Sequence, residues 1–468
     1  MADLHDLTAL EQGAAVRSGA VSTVELVDHY LSRIARLSDS VGAFVTVTGD
    51  LARRQARLAA ASVGETTSPL YGVPTAIKDL NQTAGVRTEF GSATMAGHVP
   101  EVSDEVVLRI EAAGMVSLGK TTTPEFGSPC YTEPDNAPAA RTPWDLARMA
   151  GGSSGGAAAA VAAGLVPVAQ ASDGGGSIRI PASCCGLFGL KPSRGRISGG
   201  PMYGDPVGVG TSGSLARTVR DAAALLDVMA GPAVGDPFWA PPPGEPFLAS
   251  CDRDPGRLRV ARFVRPVLAD VPVHPEMVQA YEDATRLLVS LGHDVEDIDV
   301  PVPAEAVATF ETCWTVLSGL TEIPPGTDHL MRPLTRWLRD RGWAVSGPDF
   351  ALAVGELRRV AAGTLRTLAP YDAVLTPTLA QPPLLIGEIR DDADPARDFE
   401  SQKAFTPWTA AWNLTGMPAV SLPLHRTPDG LPVGVMLAAR PAEEPLLLSL
   451  SAQVEAAAPW ADRTPPCW

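Results

Sequence analysis

Two glycine-rich runs lie close together in this chain: GGSSGG at residues 151–156 and DGGGSIRIP at residues 173–181. They are connected by an Ala-rich stretch, which predicts a helix, and by an apolar run over 166–171, which predicts a strand. Consecutive glycines before a serine let successive backbone N–H groups turn toward one point, which is the geometry of an anion nest or oxyanion hole. A glycine-rich connection inside a tight sheet has the same composition, so these runs alone do not identify a site.

A lysine stands in an unusual place upstream, in the apolar run GVPTAIKDL over residues 72–80. A lysine at a strand end usually extends its amine to water. If Lys78 is buried instead, desolvation favours its neutral amine. A pKa lowered from about 10.4 to about 7.4 corresponds to roughly 4 kcal/mol and gives a base that works near neutral pH.

A serine hydroxyl is a weak nucleophile and needs such a base. A second serine placed between them can accept one proton and donate another. Lys78, one bridging serine and one nucleophilic serine therefore make a complete chemical set without histidine. The seven histidines all lie far from the glycine-rich runs in sequence, and none has the spacing of a metal-binding pair.

Composition and charge exclude several classes of protein. The 468 residues are 45% hydrophobic and 19% charged, which is ordinary for a globular protein. The net charge of −16 repels phosphate backbones and anionic lipid, so we expect no nucleic-acid or membrane partner. The six cysteines form no C-x-x-C pair, the first ten residues are polar, and the run 156–171 is too short to span a bilayer. We expect a cytoplasmic protein.

The pattern of elements predicts an α/β protein. Capping boxes begin at Thr8 and Ser22, which indicates N-terminal helices, and from residue 70 onward short apolar runs alternate with helical stretches. This alternation favours a single large domain with a mixed β-sheet core surrounded by α-helices. Its expected segments are N-terminal helices at 1–65, the catalytic core at 66–231, a linker at 232–256, a variable helical cap region at 257–365 and the C-terminal part of the core at 366–468. Within them, we expect strand, helix and strand at 257–300, helices rich in Trp and Arg at 301–365, and short strands with Pro-rich turns at 372–440.

Two further motifs match enzyme classes of a different kind. The run GMVSLGKT at residues 114–121 fits the phosphate-loop pattern, but a predicted helix precedes it and a strand follows its first glycine, which is the reverse of what phosphate binding needs. GGSSGG contains G-x-S-x-G twice, and an α/β-hydrolase would then use Asp372 and His425. The segment before it is turn-like rather than a strand, which disfavours that interpretation.

Together, these stretches resemble the amidase signature family. The resemblance rests on GVPxxIKD around Lys78, on LGKT and PEF within residues 118–126, on both glycine-rich runs and on GLKPSxGR at residues 189–196. Weaker similarity extends from Thr8 almost to the C-terminus and includes NLTGMP at residues 413–418. The resemblance implies the fold of that family, a single α/β domain with a mixed sheet wrapped by helices.

The resemblance also implies a Ser–cis-Ser–Lys triad, with Ser177 as nucleophile, Ser153 as the bridging serine and Lys78 as base. Backbone N–H groups implied to form the oxyanion hole are those of Gly174, Gly175, Gly176 and Ser177. Positions implied to brace these loops are Ser154, Asp173 and Arg179. Gly174 departs from the family pattern, which often has a larger residue there, and we expect a slightly looser hole.

Loops around the active-site funnel are expected to set the substrate range; these are residues 126–136, 199–213 and 301–345. Candidate wall residues of apolar or aromatic character are Cys130, Tyr131, Cys313, Trp314 and Trp337. Their character favours an aryl or alkyl amide over a charged one.

We therefore predict a serine-dependent amidase that hydrolyses a small linear carboxylic amide to acid and amine through an acyl-enzyme. The same acyl transfer would serve esters, anilides and carbamates (urethanes). No cofactor and no metal are expected, and the protein is expected to be a monomer or homodimer. Two alternatives stay open, the A subunit of a glutamyl-tRNA amidotransferase complex and a His-based α/β-hydrolase esterase.

Overall fold

The computed structural model describes residues 3–61 and 68–468. Its strands are β1 Phe44–Val47, β2 Pro74–Lys78, β3 Val116–Thr121, β4 Val168–Asp173, β5 Phe188–Lys191, β6 Thr211–Ala216, β7 Arg259–Arg262, β8 Asp294–Asp297, β9 Ala373–Pro377, β10 Ala419–Arg426 and β11 Pro432–Ala439. Its α-helices are α1 Ala9–Ser18, α2 Thr23–Val41, α3 Gly49–Ala61, α4 Glu105–Ala112, α5 Gly155–Ala162, α6 Arg179–Cys185, α7 Val219–Met229, α8 Phe247–Ser250, α9 Pro275–Ser290, α10 Ala306–Gly319, α11 Pro333–Trp343, α12 Gly347–Leu368, α13 Pro395–Phe405, α14 Ala411–Leu414 and α15 Glu444–Ala457. The expected boundary between residues 65 and 66 lies outside the described residues.

The strands form two sheets. The larger has the order β4-β6-β5-β10-β11-β9-β7-β8; its pairs are antiparallel except β9 with β7 and β7 with β8, which are parallel. The smaller has the order β1-β3-β2, with β2 parallel to β3. The predicted mixed sheet surrounded by helices is therefore confirmed, and a small second sheet accompanies it.

Side chains of β2 and β4 connect the two sheets. The hydroxyl of Thr75 donates to the carbonyl of Val168 at 3.0 Å, and the backbone N–H of Lys78 donates to the side chain of Gln170 at 2.9 Å. Because these bonds align the ends of both strands, the loop that follows β4 begins beside the last residue of β2.

Local sequence explains the helices that frame this junction. Thr8 and Ser22 each form the capping box that the sequence predicts, at the starts of α1 and α2. Helix α5 consists almost entirely of small residues and is buried along its whole length, so it can pack closely against the strands beside it. Its first turn contains the last two glycines of the GGSSGG run.

Three sequence-based expectations can be compared directly with the elements. Helix α4 precedes residue 114 and strand β3 follows it, so the order that argued against a phosphate loop is confirmed. Residues 257–300 fold as strand, helix and strand, and residues 301–365 are mainly helical, as predicted. Residues 372–440 were expected to be short strands with turns, but helices α13 and α14 lie between β9 and β10. In the described part of the chain, no helix combines the length and apolar character that crossing a bilayer requires.

Candidate active site

Three separate segments bring Lys78, Ser153 and Ser177 to the junction of the two sheets. Lys78 ends β2, Ser153 lies just before α5, and Ser177 lies between β4 and α6. Their exposed fractions are 0%, 2% and 8%. The Nζ of Lys78 lies 2.8 Å from the Oγ of Ser153, within hydrogen-bond distance.

The amine of Lys78 is removed from water. Its Nζ also lies 3.1 Å from the Oγ of Ser172 and 3.4 Å from the carbonyl oxygen of that residue. Burial lowers the pKa of Lys78 to about 7, although the negative charge of Asp173 acts in the opposite direction. A substantial fraction of the amine is therefore neutral near neutral pH and able to accept a proton.

Close backbone packing fixes the GGSSGG run. A Cβ on Gly152 would lie 2.8 Å from the carbonyl carbon of Cys130 and the nitrogen of Tyr131, so a side chain cannot be placed there. The peptide bond between Gly152 and Ser153 is cis. The N–H of Ser154 donates to the carbonyl oxygen of Ser177 at 3.2 Å, which joins the two glycine-rich runs.

The side chain of Ser177 faces a cavity of about 70 Å³. Its Oγ has no hydrogen-bond partner among residues 3–61 and 68–468, so no hydrogen bond links it to Ser153. Catalytic hydrogen bonds of this kind are often long in free enzymes and shorten when substrate binds. The arrangement leaves the Ser177 hydroxyl accessible to an electrophile from the cavity.

The glycine loop differs in one respect from the expected oxyanion hole. The N–H of Gly176 donates to the carboxylate of Asp173 at 2.7 Å, and the N–H of Ile178 donates to the other oxygen at 3.1 Å. The Gly176 N–H is thus occupied, because its φ of +135° directs the backbone toward that carboxylate. The N–H groups of Gly174, Gly175 and Ser177 have no partner in the described part of the chain.

Asp173 and Arg179 form a fully buried ion pair beneath the glycine loop. The Arg179 guanidinium donates to both carboxylate oxygens, at 3.0 and 2.9 Å, and Asn413 donates to one of them at 2.9 Å. Burial alone would raise the pKa of Asp173, but Arg179 outweighs it and holds that pKa well below its usual range. A permanently charged carboxylate therefore fixes the turn that carries Ser177.

Sequence reasoning assigned no role to three residues that support the site. Ser172 contacts the Lys78 amine, Asn413 binds Asp173, and the Thr409 hydroxyl donates to the carbonyl of Gly175 at 2.6 Å. Asn413 belongs to the NLTGMP run that contributed to the family resemblance, so the sequence contained a signal that could have pointed to this residue. Thr409 lies 234 residues from Gly175, and no local pattern indicates that contact.

Five wall residues were expected, and two of them line the cavity at Ser177. Cys130 and Trp314 lie on its surface. Tyr131 is buried and donates its hydroxyl to Asp398 at 2.6 Å, while Cys313 packs into a separate apolar cluster. The ring of Trp337 packs against Phe399 but does not itself line the cavity.

The expected funnel loops contribute unequally. Segments 126–136 and 301–345 both line the cavity, whereas 199–213 lines a different cavity of about 220 Å³ that reaches Ser172. Much of the remaining wall comes from helix α13 and the residues after it, which sequence reasoning did not consider. Residues contributed by this segment are Phe399, Gln402, Lys403, Thr406 and Ala410.

His425 and Asp372 are not arranged as a base and its orienting acid. The Nε2 of His425 lies 2.9 Å from Glu276, and Asp372 accepts from the backbone N–H of Arg259 at 2.9 Å. Neither residue lines the cavity at Ser177. The geometry therefore gives no support to a His-based mechanism.

Comparison with known proteins identifies the family. The family model described as Amidase matches residues 25–448. The chain belongs to the amidase family. The family resemblance found from the sequence motifs is thereby confirmed.

Similar proteins share this architecture over the whole length of the amidase. The 6-aminohexanoate-cyclic-dimer hydrolase of Paenarthrobacter ureafaciens is 37% identical over 490 residues, covering 98% of this chain and 96% of that protein. A solved structure of 6-aminohexanoate cyclic dimer hydrolase with substrate has a TM-score of 0.92 and 34% identity, covering 99% of this chain and 100% of that one. A bacterial aryl acylamidase of the amidase signature family has a TM-score of 0.87 and 26% identity, covering 98% and 97%. The protein is an amidohydrolase, and its substrates are small-molecule amides.

Proposed function

We propose that this amidohydrolase is a serine enzyme that cleaves small aryl or alkyl carboxylic amides through an acyl-enzyme on Ser177. The observation that carries the proposal is the buried amine of Lys78, 2.8 Å from the Ser153 hydroxyl, beside a cavity into which Ser177 opens. A buried amine with a pKa of about 7 suits general-base catalysis at neutral pH.

Acylation begins with transfer of two protons. Neutral Lys78 takes the hydroxyl proton of Ser153 while Ser153 takes that of Ser177, and the Ser177 oxygen bonds to the carbonyl carbon of the amide. The electron pair displaced onto the carbonyl oxygen is stabilised by the free N–H groups of the glycine loop. One such donor commonly contributes about a hundredfold or more to the rate.

The tetrahedral intermediate then breaks its carbon–nitrogen bond. The proton held by Lys78 returns through Ser153 to the leaving nitrogen, which departs as an amine. Water attacks the resulting ester and loses a proton along the same route, and Ser177 is released with a carboxylic acid as product. The amide and one water are thus converted to acid and amine, with no net change in the enzyme.

The cavity wall favours uncharged acyl groups. Apart from Cys130 and Trp314, it presents Leu268, Phe310 and Phe399, and its charged groups Glu311 and Lys403 form an ion pair with each other. Since acyl transfer to Ser177 does not depend on the leaving atom being nitrogen, anilides, esters and carbamates fall within the proposed range. The names of its relatives add aryl acylamides and the cyclic dimer of 6-aminohexanoate to the substrates to be tested.

Trapping of the acyl group tests the nucleophile directly. Incubation with a slowly turned-over aryl carbamate should add one carbamoyl group to the peptide that contains Ser177, as measured by mass spectrometry. Ser177→Ala and Lys78→Ala should each lose about a thousandfold or more in kcat on a p-nitroanilide. Ser212→Ala, a serine that lines the other cavity, should retain most of its turnover. A label on another residue, or substantial turnover by Ser177→Ala, would overturn the proposal.

Activity assays on the purified protein and its variants distinguish the proposal from the two alternatives, an amidotransferase subunit and a His-based hydrolase. A free-standing hydrolase should cleave the anilide as the purified single chain without ATP, whereas an amidotransferase subunit should require its partner proteins. Loss of turnover in His425→Ala with retention in Lys78→Ala would restore the His-based α/β-hydrolase interpretation.

A further inference from the structure

Trp314 separates two cavities. Its indole lines the cavity of about 70 Å³ at Ser177 and also a second one of about 120 Å³. Phe126, Leu317 and Leu338 form part of the lining of the second cavity and do not reach the first. Trp314 of helix α10 and the much smaller Ser128 are the two residues that line both spaces, so the indole forms most of the wall between them.

Aromatic and aliphatic neighbours hold the indole in this position. It stacks on Phe310, with ring centroids 5.8 Å apart and an interplanar angle of 21°. It also packs against the small apolar cluster of Leu334, Leu338 and Phe399. Contacts on several sides restrict its rotation, so we expect the wall to persist when substrate enters.

The indole also lies over the glycine loop. A Cβ on Gly174 would lie 3.6 Å from the Cζ3 atom of Trp314 and 3.7 Å from its Cη2 atom, which is ordinary contact distance. A longer side chain directed along the same line would collide with the ring. The glycine at 174, where the resemblance leads us to expect a larger residue, thus leaves the space that Trp314 occupies.

We propose that Trp314, seated on Gly174, sets the upper limit on acyl length in this enzyme. The inference rests on the proposed function, since it concerns the acyl group that is transferred to Ser177. Acyl groups that end at the indole are accepted, and longer ones collide with it. The cavity behind the indole would extend the acyl site if the ring were removed.

Chain-length selectivity tests this role. The measured quantity is the ratio of kcat/KM for the p-nitroanilide of decanoic acid to that for the p-nitroanilide of butanoic acid. Trp314→Ala should raise this ratio by roughly tenfold or more, because each additional methylene that an apolar site accommodates raises kcat/KM by about tenfold or more. Trp337→Ala is the matched control: this tryptophan belongs to the same cap but lines neither cavity, so its ratio should stay at the wild-type value.

The outcomes distinguish this inference from the proposed function. An unchanged ratio in a Trp314→Ala enzyme that still forms the Ser177 adduct would overturn the acyl limit alone. An equal shift in Trp337→Ala would also overturn it, because loosening of the whole cap would then be the cause. Absence of any Ser177 adduct in the wild type would refute the proposed function instead.

A double-mutant cycle gives a second test that does not depend on Trp314→Ala being well folded. Gly174→Val should lower kcat/KM on the butanoyl substrate more in the wild type than in a Trp314→Leu background. The reason is that leucine at position 314 is smaller than the indole and leaves space for the added valine side chain. We expect a coupling of roughly fivefold or more between the two positions. Independent effects of the two substitutions would contradict contact between residue 174 and the indole as the limiting feature.

Discussion

At the scale of single residues, the role proposed for Lys78 as the base predicts how the reaction should depend on pH. The base must be neutral to accept a proton, and burial lowers its pKa to about 7. We therefore expect kcat/KM on an anilide to fall about tenfold per pH unit below that value and to level off above it. A rate profile from pH 5 to 9 checks this. A flat profile with chemistry rate-limiting would exclude Lys78 as the base.

The burial of Lys78 also destabilises the folded protein. The pKa of Lys78 is about 7 in the folded protein and about 10.4 in an unfolded chain. Between these values the unfolded chain binds a proton that the folded protein does not. The destabilisation is therefore absent above the unfolded pKa and complete below the folded one.

Lys78→Met should consequently be more stable than the wild type at pH 7, by at most about 4 kcal/mol. The lost contacts with Ser153 and Ser172 reduce this gain. The advantage should shrink as the pH approaches 10. Urea unfolding of both proteins at pH 7 and pH 9.5 measures it, and an advantage of equal size at both pH values would contradict desolvation as its source.

Single residues that violate local rules could be found from sequence, while their hydrogen-bond partners could not. Lys78 stood out as a charge in an apolar strand, and Ser153 and Ser177 stood out because glycines surround them. Which N–H of the glycine loop remains free depends on backbone angles. The N–H of Gly176 points toward Asp173 because the φ of Gly176 is +135°. Three successive glycines in a sequence do not indicate which of them adopts this conformation.

At the scale of elements, the segment from α13 to α14 braces the glycine loop from outside. Thr409 holds the Gly175 carbonyl, and Thr409→Val keeps the shape of the side chain but removes this bond. We expect kcat to fall roughly fivefold, which corresponds to a loss of about 1 kcal/mol of transition-state stabilisation. KM should change little, because a looser loop weakens binding of the proposed oxyanion more than binding of the substrate.

Thr415→Val provides the matched control for that change. Thr415 is also buried, but its hydroxyl donates at 2.9 Å to the carbonyl of Ala411, in helix α14, which ends one residue before Thr415. It should lose comparable stability without the decrease in kcat. Steady-state kinetics and thermal unfolding of both variants separate the two effects, and equal losses of kcat would show that Thr409 has no special link to the loop.

Sequence patterns predicted elements better than the contacts between them. The capping boxes, the strand that carries Lys78 and the helices of the cap follow from local rules. Helix α13 was missed although Asp394 caps it and Pro395 opens it, because proline-rich turns on either side suggested irregular structure. Its contribution to the cavity wall arises from packing between distant segments, such as Lys403 against Glu311, which no local pattern contains.

At the scale of the whole molecule, helix α11 of the cap packs through a small apolar cluster of its own. This cluster, formed by Leu334 and Leu338 of α11 and Phe399 of α13, is separate from the two larger cores, to which other parts of the cap contribute. Arg332, whose side chain is 4% exposed, connects α11 to the body: its backbone N–H donates to Glu125 at 2.9 Å and its guanidinium donates to the carbonyl of Glu133 at 2.8 Å. Helix α11 should therefore open at a lower cost than the body unfolds.

Arg332→Met tests whether helix α11 opens as a separate unit, because it removes the buried guanidinium while retaining an apolar side chain of similar length. We expect KM to rise and the midpoint of thermal inactivation to fall by a few degrees, whereas the main unfolding transition in circular dichroism stays nearly unchanged. Arg336→Met, one turn further along α11 at an exposed position, is the control and should shift neither. If inactivation and unfolding move together in Arg332→Met, helix α11 and the body form one cooperative unit, and selection of substrate by Trp314 would then be inseparable from the stability of the fold.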